Sequence, residues 1–277
     1  MQRENYNERK YLSDEVVIFK KTKELYGGLS NMASGFPIVI NGITILTSEA
    51  LYQACRFPHL PELQKQIIKQ KSPMSAKMVT KPFRNQSRGD WDSVRVSIMR
   101  WCLRVKLAQN YIEFGKLLES TFNKPIVEDS RRDNFWGALR DKNNNSILLG
   151  ENVLGRLLME LRQKYNQERY SPELLCVKPL NITDFKLLGE PIQMIDEREH
   201  FIRYLGDKLG CSLLLSSRHS LEVYTSKESS LTQKGSILPI SIELNTEGKI
   251  IPLRKKKQSQ EIRKKDNIVA SDISLFR

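Results

Sequence analysis

FPIVINGITILTSEALYQACRF, residues 36–57, changes its period part-way along. Two apolar runs flank Asn41-Gly42, a dipeptide that favours the tight turn of a β-hairpin. From Ser48 the pattern becomes helical. Leu51, Tyr52 and Cys55 share one face, and Glu49, Gln53 and Arg56, spaced i, i+4, i+7, share another. On its own this polar side reads as a solvent face, as most such faces are. A hairpin that runs directly into a helix puts the chain in a mixed class, α+β.

Outward from this stretch, helices predominate. Residues 1–15 read as a polar arm, and VVIFK (16–20) as a strand. PELQKQIIKQK (61–71) reads as a helix, and SPMSAKMVTK (72–81) as another, with Ser72 as N-cap and Pro73 at the first helical position. WDSVRVSIMRWCLRVKLAQN (91–110) predicts a long helix with Val94, Ile98, Trp101 and Val105 as its buried stripe. YIEFGKLLEST (111–121) is helical. LRDKNNNSILLGEN (139–152) reads as a polar loop, and NVLGRLLMELRQKY (152–165) as an amphipathic helix buried on Leu154, Leu157, Leu158 and Leu161. Near residue 165 the pattern shifts. Beyond a polar linker lie short strand-like runs, CSLLLSS and SILPISIEL, one helix, DEREHFIRYLGDKLG, and the basic run RKKKQSQEIRKK (254–265). The expected organisation is an arm over 1–17, a main domain over 18–168 and a smaller mixed α/β extension over 169–277.

Composition narrows the classes. No apolar run approaches the roughly 18–20 residues that span a bilayer, and the charged N-terminus lacks the apolar segment of a secretory signal. Both point to a cytoplasmic protein with no membrane partner. The 4 cysteines and 3 histidines of the 277 residues are scattered, with no CxxC pair, so neither a metal site nor a disulfide scaffold is expected. The net charge is +13. Residues 1–170 hold 28 of the 45 basic and 18 of the 32 acidic side chains, so most of the excess lies there and not in the basic tail. A basic body suits a polyanionic partner, although a lysine-rich solvated surface has the same signature.

EDSRRDNFWG, residues 128–137, is chemically dense for ten residues. Asp133 and Trp136, spaced i, i+3, can face one space, and Gly137 permits close backbone approach. A carboxylate beside an aromatic plate suits N-glycoside cleavage. The plate stacks on a base while the negative charge stabilises an oxocarbenium-like state, and nearby arginines bind phosphate. A core tryptophan with an aspartate cap and surface arginines accounts for the stretch equally well.

The order of motifs carries more. GGLSNMASGFPIVINGITILTSEALYQACRF, KSPMSAK, WDSVRVSIMRWCLRVKLAQN, LLEST, IVEDSRRDNFWG and GENVLGRLLMELR occur in the order and at similar spacing to those of the NADAR (YbiA-like) family, which the chain resembles over about residues 18–165. The resemblance implies a compact, mainly helical fold with a small β element and N-glycosidase activity on ribosyl-type substrates, with no cofactor. Known family activities include cleavage of riboflavin-pathway intermediates and removal of ADP-ribose from guanine in nucleic acid, the latter as an antitoxin against DarT-like ADP-ribosyltransferases. Glu49 matches the TSE glutamate, Gln53 the YQ glutamine, and Asp133, Trp136 and Gly137 the D-x-x-W-G segment, with Glu128 before it. Lys106, Asn152, Gly155, Ser30 and Asn31 fall on further motif positions. Three positions depart from the family pattern. Ala50 replaces a histidine, Arg56 a lysine and Leu107 a phenylalanine. The first removes a possible proton carrier.

These matches give an expected site. Glu49, Asp133 and Glu128 are the catalytic carboxylates. Trp136 stacks on the base or adenine, with Gly137 beside it. Arg56, Lys106 and Arg131 bind pyrophosphate, and Ser30, Asn31, Gln53 and Asn152 hydrogen-bond ribose or base. The expected substrate is ADP-ribosylated guanine in DNA, with a cognate ADP-ribosyltransferase toxin as partner. The alternatives are a flavin-pathway or NAD-derived small molecule, or a non-catalytic ADP-ribose or nucleic-acid binding module.

Overall fold

The computed structural model describes residues 8–168 and 171–209, and the segments 212–215, 221–224, 242–244 and 250–252, with side chains described up to residue 203 except at 172. The run 254–265 lies outside the described residues. In chain order the elements are β1 (Arg9–Leu12), β2 (Val17–Phe19), β3 (Ile38–Ile40), β4 (Ile43–Ile45), α1 (Ser48–Cys55), α2 (Pro61–Ile68), α3 (Pro73–Val79), α4 (Trp91–Gln109), α5 (Tyr111–Glu119), β5 (Ile126–Ser130), β6 (Ala138–Arg140), β7 (Ile147–Gly150) and α6 (Val153–Glu168). Then come β8 (Cys176–Val177), β9 (Lys186–Leu187), β10 (Glu190–Pro191), β11 (Ile195–Asp196), α7 (Arg198–Leu209) and four short strands, β12 (Ser212–Leu215), β13 (Leu221–Tyr224), β14 (Ile242–Leu244) and β15 (Ile250–Pro252). This is the expected α+β architecture. No described helix is long and apolar enough to cross a membrane.

Asn41 (φ 49°) and Gly42 (φ 77°) both take the left-handed conformation, which matches the twist of a two-residue hairpin turn. The register Ile38–Ile45 and Ile40–Ile43 follows from that turn and puts three of these four isoleucines in the core. Thr47 caps α1, its hydroxyl accepting from the Ala50 N–H at 3.2 Å. Every residue of α1 is buried. The solvent face expected for Glu49 and Gln53 is therefore not in water. Packing against α2, α3 and α4 covers the helix on all sides except where a cavity opens.

The main sheet runs β1-β7-β6-β5-β2. The arm reading of residues 1–17 stops at Arg9, where β1 pairs antiparallel with β7 from Arg9–Gly150 to Leu12–Ile147. The expected loop 139–152 is a hairpin, with β6 and β7 paired antiparallel through Leu139–Leu149. In α4, Ile98, Trp101 and Val105 are buried as expected, but Val94 is only half-buried. Leu154, Leu157, Leu158 and Leu161 of α6 are all buried.

The division at residue 168 does not separate two cores. Leu174, Leu175, Val177, Phe185, Leu187, Ile192 and Ile195 belong to the same apolar cluster as α1, α4 and α6. Trp101 Nε1 donates to the Lys178 carbonyl at 3.0 Å, and its ring meets Phe185 edge-on at 4.9 Å. The fully buried Gln64 amide donates to the carbonyls of Ala54 (3.0 Å) and Lys186 (3.1 Å) and accepts from the Leu188 N–H (2.6 Å).

Candidate active site

A cavity of about 440 Å³ opens between α1, α3, the start of α4, the end of β5 and the loop before β6. Its walls hold three carboxylates, Glu49, Glu128 and Asp133, and four cations, Arg56, Lys77, Arg84 and Arg95.

Glu49 enters from the first turn of α1 and is 4% exposed. Both its oxygens are held by amides. Gln53 Nε2, one turn on, donates to Oε1 at 2.8 Å, and Asn31 Nδ2 donates to Oε2. The Glu49 N–H also donates to the Asn31 carbonyl at 2.9 Å, so backbone and side chain of one residue fix this carboxylate. Thr80 Oγ1 in turn donates to Gln53 Oε1 at 3.3 Å. Burial raises the Glu49 pKa, opposed by the Lys77 charge and the two amide donors, and the Asp133 charge adds to the rise.

Glu128 projects from β5 into the same space. Burial, then the charges of Asp133 and Glu49, push its carboxyl up to about 7, with Lys77 opposing. Asp133 Oδ1 accepts from the N–H groups of Phe135 (3.1 Å) and Trp136 (2.9 Å), which fixes the turn carrying the tryptophan. The half-buried Trp136 ring lines the cavity and meets Tyr52 edge-on at 5.6 Å. Gly137 lets β6 lie against β5, since a Cβ there would stand 2.6 Å from the Glu128 carbonyl oxygen. EDSRRDNFWG is thus one wall of the cavity, and α1 is the facing wall.

The cations form the remaining wall. Arg56 Nε donates to Ser87 Oγ at 2.6 Å, and its guanidinium lies 5.0 Å from the Trp91 ring centroid. The Arg95 guanidinium lies 3.8 Å from the Phe135 centroid, while its buried Nε has no hydrogen-bond partner among the described residues. Sequence reasoning missed Tyr52, Lys77, Arg84 and Arg95. Trp91, Arg95 and Met99, at i, i+4, i+8, are the stripe of α4 that lines the cavity, and that spacing was the signal available.

Of the twelve expected site residues, Asn31, Glu49, Gln53, Arg56, Glu128, Asp133 and Trp136 line the cavity. Gly137 supports it from behind. Four are placed elsewhere. Asn152, 0% exposed with φ 48°, spends its side chain on β5: Oδ1 accepts from the Glu128 N–H at 3.1 Å and Nδ2 donates to the Ile126 carbonyl at 2.8 Å. Lys106 is 1% exposed and donates to the carbonyls of Gly28 (2.6 Å) and Ser30 (3.1 Å). Ser30 Oγ accepts from the Met32 N–H at 3.1 Å, closing a local turn. Arg131 is exposed and outside the cavity lining. Ala50, where the family carries histidine, is buried in the core and does not line the cavity. Among the described residues no cluster of three or more His, Cys, Asp or Glu is arranged to hold a metal.

The chain is similar to several known proteins. Over 159 residues the chain is 36% identical to N-glycosidase YbiA of Shigella boydii serotype 4 (strain Sb227), covering 57% of this chain and 93% of that protein. It is 29% identical over 164 residues to a riboflavin biosynthesis protein of Vibrio vulnificus (strain YJ016), covering 58% of this chain and 42% of that protein. The solution structure of Escherichia coli YbiA shares 33% identity with a TM-score of 0.48, covering 58% of this chain and 90% of that one. Residues 18–166 match the NADAR domain model, so the chain belongs to the NADAR family, alongside the hydrolases named N-glycosidase YbiA.

Proposed function

We propose that this NADAR-family N-glycosidase hydrolyses the bond between ADP-ribose and guanine, with modified DNA as the substrate, and so reverses the action of a cognate ADP-ribosyltransferase toxin. The observation that carries this reading is the meeting of three carboxylates, four cations and Trp136 in one cavity. The substrate has a matching set of groups: a cationic transition state at the anomeric carbon, a diphosphate, and a base with an aromatic face.

In this reading Glu49, oriented by Asn31 and Gln53, lies against the anomeric carbon and stabilises positive charge there. Glu128, with its carboxyl near 7, carries the proton. It gives the proton to the departing base nitrogen as the C–N bond breaks, and takes one from the water that adds to the anomeric carbon. Trp136 stacks on the base or adenine. Asp133 holds the Trp136 loop through one oxygen and presents the other to the sugar. Arg56, Lys77, Arg84 and Arg95 take the diphosphate. The excess positive charge of residues 1–170 suits a DNA strand outside the cavity.

A second reading, a flavin-pathway intermediate as substrate, draws on the similarity to a Vibrio vulnificus riboflavin biosynthesis protein. The test is a panel of DNA ADP-ribosylated on guanine or on thymine, free ADP-ribose conjugates and flavin-pathway intermediates, with products followed by mass spectrometry. Release of ADP-ribose from guanine alone is expected. Cleavage of the flavin intermediates and of nothing else would favour the second reading, and binding without cleavage anywhere would point to a reader module.

A further inference from the structure

Lys106 is a buried lysine that the proposed chemistry does not use, its pKa pushed down to about 7 by burial. It reaches from the last turn of α4 to the turn at Gly27–Leu29, where its Nζ donates to the Gly28 and Ser30 carbonyls. Its other surroundings are aromatic. The Phe36 and Phe114 centroids lie 4.5 and 4.2 Å from Nζ, and the two rings meet edge-on at 5.4 Å. No carboxylate is within ion-pair distance of it among the described residues. An ammonium buried this way is desolvated at a cost that two carbonyls and two ring faces must offset. That cost suggests a use for the position.

The residue after Ser30 supplies that use. Asn31 touches Glu49 twice, accepting its N–H and donating to its carboxylate. The turn is also closed locally, with the Ser30 carbonyl accepting from the Ala33 N–H at 3.1 Å and Ser30 Oγ from the Met32 N–H. We infer that Lys106 is a positioning residue for Glu49. It pins the Gly27–Ser30 turn against α4 so that Asn31 is held on the Glu49 carboxylate at the cavity wall. Lys106 itself touches nothing in the cavity. Its consequence for turnover rests on the reading of Glu49 as the reacting carboxylate; the positioning itself does not.

The test reads Glu49 directly. In the full chain with 13C-labelled glutamate carboxyls, the Glu49 signal is identified by its loss in Glu49→Gln and titrated by NMR. Lys77 on α3, Asp133 in the loop and Glu128 on β5 also act on Glu49, and they are unchanged in every variant compared. Asn31→Ala removes a donor to the carboxylate and is expected to raise its midpoint. Lys106→Met is expected to raise it too, by about half a unit or more, and to add almost nothing in an Asn31→Ala background, because one path carries both effects. An equal shift from Lys106→Met in both backgrounds, or no shift in either, overturns the inference: Lys106 then acts by its charge alone or not at all. If Lys106→Met does not fold, Phe36→Leu, which removes one aromatic face, is titrated in the same two backgrounds with the same criterion. No substrate enters this measurement, so failure of the N-glycosidase reading shows up separately, as absence of cleavage with the titration result intact.

Discussion

Glu49 is buried and Glu128 is half-buried, and their surroundings differ. Glu49 has two amide donors, while Glu128 has the charges of two other carboxylates near it. Desolvation first, and those two charges second, hold the Glu128 proton up to about 7 in the folded chain, where the unfolded chain releases it near 4.5. The contribution of this group to stability is complete below about 4.5 and is lost as pH rises through 7. Glu128→Gln carries no charge at any pH and escapes that loss. Its melting temperature should gain on the parent chain as pH goes from about 5 to about 8, measured by thermal denaturation across buffers. A gap that stays constant would mean that Glu128 titrates as an ordinary glutamate. Much of this residue-level chemistry was legible in the sequence. The i, i+4, i+7 spacing put Glu49, Gln53 and Arg56 on one side of a helix, and only their burial was misread. Lys106 and Asn152 were misplaced because a motif position says that a residue matters without saying what its polar atoms touch. Lys77 and Arg84 carried no periodic signal, since each comes from a short segment whose facing depends on tertiary packing.

Asn152 joins α6 to β5 at the scale of elements. Its side chain satisfies one buried N–H and one buried carbonyl of β5, the strand that presents Glu128. Asn152→Ala strands both groups and should cost about 2 kcal/mol in urea denaturation. Unchanged stability would mean that water or a strand shift replaces the amide. Gly137→Ala brings a Cβ to 2.6 Å from the Glu128 carbonyl oxygen and should separate β6 from β5. The expected result is a lower melting temperature together with a weaker effect of pH on activity near 7, as Glu128 moves out of its half-buried site. A variant with the parent's stability and pH profile would show that the strands adjust without moving Glu128. The hairpin of β3 and β4 was legible because Asn41-Gly42 dictates its turn. The hairpin of β6 and β7 was not, because six polar residues, DKNNNS, outweigh strands of three and four residues.

The whole molecule departs most from its sequence reading beyond residue 168. The expected boundary rested on a polar linker, but composition does not reveal that a chain returns to the core it has just left. Seven apolar residues between 174 and 195 share that core, and Trp101 and Gln64 are hydrogen-bonded to the returning backbone. A chain cut after Glu168 should lose cooperative unfolding or aggregate, whereas one cut after Leu209 keeps a sharp thermal transition, as calorimetry would show. Equal transitions would mean that residues 171–203 are dispensable to the core.

The proposed cleavage depends on Glu49 as the carboxylate facing the scissile bond. Purified protein and Glu49→Gln are incubated with an oligonucleotide ADP-ribosylated on guanine, with cleavage followed by mass spectrometry and binding by fluorescence anisotropy. Release of ADP-ribose by the parent chain, a loss of at least about a hundredfold in the variant, and binding retained by both is the predicted result. Cleavage by Glu49→Gln at near the parent rate would contradict it.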